Sequence, residues 1–203
     1  MRVAPVGLFW CSFNGSFGVE RVFEDGCMCA GLTHGHPSGY LTGGVLSVLI
    51  FELLNDKALL DALGAVRILL VAERGHEETL AALDKAVDLS QSDKPPHIAI
   101  GELGEGWVAE EVLAISVYCA LVAENFEQGV VLAVNHDGDS DSTGSITVNI
   151  LGAMHGTGVI SQRWIEPLEL REVVEAVASD LWTCREWHSY MEGSGLWERY
   201  PGY

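Results

Sequence analysis

Basic residues are scarce in this chain. Eleven Lys plus Arg stand against 29 Asp plus Glu, the formal charge is −18 over 203 residues, and no two basic residues are adjacent. Such a surface repels nucleic acid and anionic membranes, so neither is expected as a partner. An anionic ligand has to be attracted locally, by a bound cation or by helix N-termini, because the long-range field opposes it. Long apolar runs are lacking too. The longest, Val45 to Leu54, is ten residues and includes Ser47 and Glu52, which reads as a buried helix too short to span a bilayer. The opening Met1-Arg2-Val3-Ala4-Pro5-Val6 has no extended apolar region of the signal-peptide kind. No Cys-x-x-Cys pair occurs among Cys11, Cys27, Cys29, Cys119 and Cys184, and Cys27 and Cys29 are too close for a zinc knuckle. An odd count without such pairs reads as reduced core thiols in a cytoplasmic protein. What the chain does have is 48% hydrophobic residues at a length suited to one domain, 1–203, with a proper core.

The patterning is helical. From Val108 onward, Val112, Ile115, Cys119 and Val122 recur at helical spacing; Leu170, Val173, Val174, Val177 and Leu181 do so later, and Leu80, Leu83 and Val87 form a shorter stripe. Gly75 reads as the end of a helix from about Leu59, Pro95-Pro96 as a break, and Pro37 and Pro167 as helix starts. Val130 to Val134 and Ile98 to Ile100 look strand-like, although period alone does not settle short runs. The fold expected is all-α. Gln91 to Gly106 reads as a long polar connection, a type that is often functional in a compact helical domain.

The most acidic motif is Asn135-His-Asp-Gly-Asp-Ser-Asp-Ser-Thr-Gly144, with carboxylates at Asp137, Asp139 and Asp141. A calcium EF-hand loop needs Gly at its sixth position and Glu at its twelfth; Ser142 and Val148 stand there, which excludes it. Asp139-x-Asp141-x-Thr143 also fits a phosphatase pattern with a nucleophilic aspartate. That chemistry wants a parallel sheet and a later lysine, and the last lysine is Lys94. A plainer reading has Asp139 and Ser142 cap a helix starting near Thr143. One residue suffices for a cap, whereas three carboxylates within five positions repel one another unless a hard cation offsets them. Carboxylate and hydroxyl oxygens favour magnesium, manganese or calcium over zinc.

Two other constellations stand out. Thr33-His34-Gly35-His36-Pro37-Ser38-Gly39-Tyr40 puts two imidazoles in a turn at a helix start, either for ligand contact or for structural hydrogen bonds. Gly101-Glu102-Leu103-Gly104-Glu105-Gly106-Trp107 is a glycine-spaced loop opening the helix that runs to Leu121. It lets backbone N–H groups approach an anion, with Trp107 available to stack on a base.

Taken in order, THGHPSGY, GEGWVAEEVLAISVYCAL and NHDGDSDSTGSITVNILGAMHG resemble the ADP-ribosylglycohydrolase family, and MRVAPVGLF and LELREVVEAVASDL are similar to it as well, so the resemblance spans nearly the whole chain. It implies an all-α helical bundle that uses two magnesium or manganese ions to remove ADP-ribose from a modified protein side chain or a related small ADP-ribosyl compound. It implies Asp139 and Asp141 as catalytic residues and Asp139, Asp141 and Ser142 as one set of metal ligands. His34, Gly104, Glu105, Gly106 and Trp107 are implied beside the ADP-ribose. The Asp-Ser-Asp-Ser form looks more like the arginine-directed branch than the serine-directed one.

The resemblance also implies elements that this chain does not carry. Full-length members have a first metal motif of the Thr-Asp-Asp type and a glycine-rich diphosphate segment ahead of MRVAPVGL, and no Thr-Asp-Asp occurs here. The expectation is the C-terminal portion of such an enzyme, N-terminally truncated, with ligands for one ion of two. The alternatives are a degenerate ADP-ribose- and metal-binding module, or one half of a split enzyme. Two substitutions depart from the family: Asp137 adds charge beside the site, and Val148 replaces a small residue, with an expected packing strain of roughly 1–3 kcal/mol. Apolar faces left uncovered, for instance around Val45 to Leu54, lead to an expectation of self-association.

Overall fold

The computed structural model describes residues 1–13, 18–183 and 199–200. Eleven α-helices and no strand occur among them: α1 (Ala4–Cys11), α2 (Val19–Gly31), α3 (Pro37–Leu54), α4 (Leu59–Leu70), α5 (Glu77–Ser90), α6 (Pro96–Leu103), α7 (Ala109–Val122), α8 (Phe126–Val134), α9 (Ser140–His155), α10 (Gln162–Ile165) and α11 (Arg171–Thr183). Both stretches that look strand-like are helices. Phe126, Gly129 and Ala133 are the buried face of α8, spaced for a helix, and the Asn125 side chain caps that helix by accepting from the Gln128 N–H at 2.9 Å. Pro96 opens α6, which buries Ala99, Ile100 and Leu103. The 91–106 connection is therefore two short loops around a helix.

The centre of the fold is α3. Pro37 starts it, its φ already set for a helix, and Asn55 closes it with its side-chain amide donating to the Phe51 carbonyl at 2.8 Å. The apolar run of ten residues understates it: the whole 18-residue helix is long and apolar enough to cross a membrane. Burial decides otherwise, since 78% of it lies inside the protein, packed by α1, α2, α4, α7 and α9. Val45 to Leu53 are all buried, so the apolar face expected to be uncovered there is covered. The close crossings rest on glycine. A Cβ at Gly7 would strike the Ser47 carbonyl, and one at Gly26 would strike the Ser47 hydroxyl and meet the Gly43 carbonyl at 2.8 Å. The Ser47 hydroxyl sits in this seam and donates to the Gly43 carbonyl at 2.9 Å, with the Val3 carbonyl at 3.2 Å.

The second core helix, α7, buries every residue from Val112 to Ala120 and packs on α5, α8 and α9. Its Ser116 hydroxyl meets the Thr143 carbonyl of α9 at 3.0 Å. The 170–181 stripe does form a helix, but none of α11 is buried and Leu170, 66% exposed, precedes it with φ 57°. Pro167 follows α10 rather than opening a helix, and α4 ends at Leu70, several residues before the turn at Gly75.

Cys11 and Cys119 are buried and Cys27 and Cys29 half-buried; Cys184 lies outside the described residues. Burial pushes the Cys27 and Cys119 thiols up to about 12. At pH 8 only on the order of one in ten thousand of these thiols is the reactive thiolate. Iodoacetamide is expected to leave both unmodified in the native protein and to label both after denaturation, as read by peptide mass spectrometry. Rapid native labelling of Cys119 would show that α7 is not packed as described.

Candidate active site

A cavity of about 980 Å³ opens between the starts of α3, α7 and α9. Its wall includes His34, Gly106, Trp107, Asp139 and Ser142, residues up to 108 positions apart in sequence. Each comes from a helix N-terminus or the loop just before it, so the positive ends of three helix dipoles face one space.

Asp139 holds the N-cap position of α9, which begins at Ser140, three residues before the expected start. Its side chain makes no capping hydrogen bond of ordinary geometry, although the Ser142 peptide N–H helps to keep its carboxyl charged, and Ser142 lies inside the helix rather than at its cap. The Asp141 carboxyl and then the Ser142 hydroxyl hold the Asp139 carboxyl below the usual value of 3.8, with the Ser142 peptide N–H adding to the effect. Ser142 is 7% exposed, with its hydroxyl 3.4 Å from Asp141 Oδ1. Asp141 itself is exposed and does not appear on the cavity wall, and Asp137 is exposed as well. Among the described residues no three His, Cys, Asp or Glu side chains converge tightly enough to hold an ion by themselves. The donor set that is present, two carboxyls and a hydroxyl on one turn, suits part of the shell of a hard oxygen-seeking cation.

The GEGW loop is built onto this turn. Gly104 and Gly106 have φ of 129° and 78°, the left-handed region that favours glycine. Glu111 clamps the loop from α7: its Oε2 accepts the Gly106 N–H at 3.0 Å and the Glu105 N–H at 3.2 Å. Glu105 Oε2 accepts from the Trp107 indole N–H at 2.9 Å, orienting a ring that is 67% exposed at the rim. Gly104 and Glu105, expected at the ligand, are not on the cavity wall; they support Gly106 and Trp107, which are. The Glu105 carbonyl accepts from the Asp139 N–H at 2.8 Å, so the two motifs touch through backbone. Gly138 makes this possible, since a Cβ there would overlap the Glu105 carbonyl.

Patterning alone did not single out three of these residues. His136 ties the acidic loop to its helix: Nδ1 accepts the Gly138 N–H at 3.1 Å, which leaves Nε2 to donate to the Thr143 hydroxyl at 2.9 Å. Thr143 in turn donates to the Ala133 carbonyl at 2.7 Å. Glu111 and Glu110 were hidden in an amphipathic first turn, where carboxylates are expected anyway. His34 stands exposed on the wall, its Nδ1 2.8 Å from the Thr33 hydroxyl, and His36 bonds the Ser38 hydroxyl at 2.9 Å. Val148, expected to strain a close contact, is 37% exposed and meets no such constraint.

The family model for ADP-ribosylglycohydrolases matches residues 1–190. The chain belongs to the ADP-ribosylglycohydrolase family. An uncharacterized protein of Archaeoglobus fulgidus is 30% identical over 182 residues, covering 90% of this chain and 56% of its own length. ADP-ribosylhydrolase ARH3 of Bos taurus is 25% identical over 209 residues, and that of Homo sapiens 23% over 211; each alignment covers 89% of this chain. These cover 55% and 56% of the ARH3 chains, so the present chain spans about half the length of the curated relatives it matches. Family membership accords with the all-α architecture of the described residues.

Proposed function

We propose that this chain acts in metal-dependent hydrolysis of the glycosidic bond between ADP-ribose and a protein side chain, arginine by preference, or of a related ADP-ribosyl compound. The observation that carries the reading is the meeting of three motifs, from about residues 34, 106 and 139, on one cavity wall. Asp139, Asp141 and Ser142 would hold magnesium or manganese, which when bound supplies charge stabilisation and a more acidic water. Asp139, on the wall, and Asp141, as a ligand of the same ion, would help orient the ribose hydroxyls around the anomeric carbon, where an oxocarbenium-like state develops as the bond breaks. In the first turn of α3 the Ser38 N–H is the donor offered to the diphosphate beside His34, since Pro37 has none and the Gly39 N–H is taken by the His36 carbonyl at 2.9 Å. Trp107 supplies a flat face for the base.

The test is release of ADP-ribose from arginine-linked and serine-linked substrates, with and without magnesium. No release from either, under conditions where ADP-ribose binds, supports a second reading. In that reading the chain is a binding module or one half of a split enzyme whose remaining ligands come from another segment. The incomplete ligand set among the described residues favours this second reading.

The same proposal places residues 1–203 in one domain and the protein in the cytoplasm. It also includes self-association, through the outward face of α4, where Leu60, Ile68 and Val71 are exposed, rather than through α3. Light scattering is expected to give a mass above that of one 21.9 kDa chain. A monodisperse monomer counts against this.

A further inference from the structure

Glu110 is the one carboxylate on the wall with an unmet need. It lies in the first turn of α7, three residues after Trp107, and lines the same cavity as Asp139. Its neighbours are committed: Glu111 takes two backbone N–H groups and Glu105 takes the Trp107 indole. Glu110 Oε2, by contrast, is withdrawn from solvent with no hydrogen-bond partner among the described residues. An acceptor left in this way is costly, so a group carrying donors belongs beside it. The terminal torsion of a glutamate is soft, so the carboxylate can turn either oxygen toward the cavity without leaving its place on the helix.

Resting on the function proposed above, we infer that Glu110 is a specificity residue that accepts the 2′- and 3′-hydroxyls of the adenosine ribose of ADP-ribose. Trp107 and Glu110 line the same cavity three residues apart, so a base stacked on Trp107 brings its ribose toward Glu110. A vicinal diol presents two O–H donors to the two oxygens of a carboxylate, the same pairing by which an acidic residue holds the adenosine ribose in dinucleotide sites. A phosphate on the 2′-oxygen removes one donor and sets negative charge against Glu110, so the 2′-phosphorylated nucleotide is rejected. A guanidinium from an arginine leaving group would also satisfy a carboxylate. The position of Glu110 next to Trp107 favours the ribose.

Calorimetric titration of the full chain in magnesium with ADP-ribose, its adenosine 2′-deoxy analogue and its 2′-phosphate tests this without requiring turnover. The chain is expected to bind the 2′-deoxy form about tenfold more weakly and the 2′-phosphate more weakly still. Glu110→Gln is expected to lose about tenfold for ADP-ribose and to bind ADP-ribose and the deoxy form alike, with its thermal unfolding checked separately. Equal binding of all three nucleotides by the unaltered chain overturns the inference and leaves the hydrolase reading standing. Discrimination that survives in Glu110→Gln overturns it too, as does a variant impaired only in hydrolysing the arginine-linked substrate. Failure of ADP-ribose to bind at all removes both readings.

Discussion

Replacing Asp139 and Asp141 together by alanine is expected to lower magnesium-dependent ADP-ribose release by on the order of a thousandfold, the size of effect that a bound ion's charge stabilisation supplies. The fold should survive. Asp141 is exposed and the Asp139 side chain makes no capping bond of ordinary geometry, so removing both takes away no packing. The unfolding temperature measured without magnesium should therefore stay about level, and the stabilisation that magnesium gives the unaltered protein should disappear. Equal release by the double variant would remove the metal role assigned to this turn. A variant that loses activity and stability together would point to a structural role for the pair instead.

The second large effect is expected at a residue with no side chain. Gly138→Ala places a methyl group where the Glu105 carbonyl oxygen now lies, and both partners are backbone, so neither yields as a flexible side chain would. The Asp139 N–H to Glu105 bond at 2.8 Å has to break or lengthen, and the GEGW loop separates from the acidic turn. A displacement of about 1 Å at a reacting centre costs on the order of a hundredfold in rate. The cost in stability is smaller, about 1–3 kcal/mol, because the clash lies at a surface-lining loop rather than between core helices. The diagnostic is the split between the two: kcat falls far more than unfolding stability, and the Trp107 environment changes in fluorescence. Full activity in Gly138→Ala would mean that the two loops do not work as one unit.

Much of the fold could be read directly from residue patterns, for physical reasons visible at particular positions. The α7 stripe of Val112, Ile115 and Cys119 is a sequence of burials at helical spacing, and all three are buried. Pro37 marks the start of α3 because proline lacks only an N–H that the first turn leaves unpaired anyway. Short elements were harder. In α6 and α8, eight and nine residues long, too few turns accumulate for period to separate helix from strand, and tertiary burial decided. The α11 stripe misled in the other direction: valine spacing makes a helix without saying whether anything covers it, and the face is exposed.

At the candidate site, the sequence by itself determined the chemistry available: carboxyls and a hydroxyl at Asp139, Asp141 and Ser142, a histidine turn at 34, a glycine loop ending in Trp107, and a charge of −18 that makes any anionic ligand depend on local attraction. Only the tertiary structure decided which of these share a wall. It placed Gly106 against Asp139, turned Asp141 outward, moved Gly104 and Glu105 into support, and left Glu110 with an unpartnered oxygen. Residue types and spacing set what a side chain can bond. Which bonds form across a hundred residues depends on helix crossings set by close contacts at Gly7 and Gly26, and on a loop-to-loop contact at Gly138, where the missing Cβ lets backbone approach backbone.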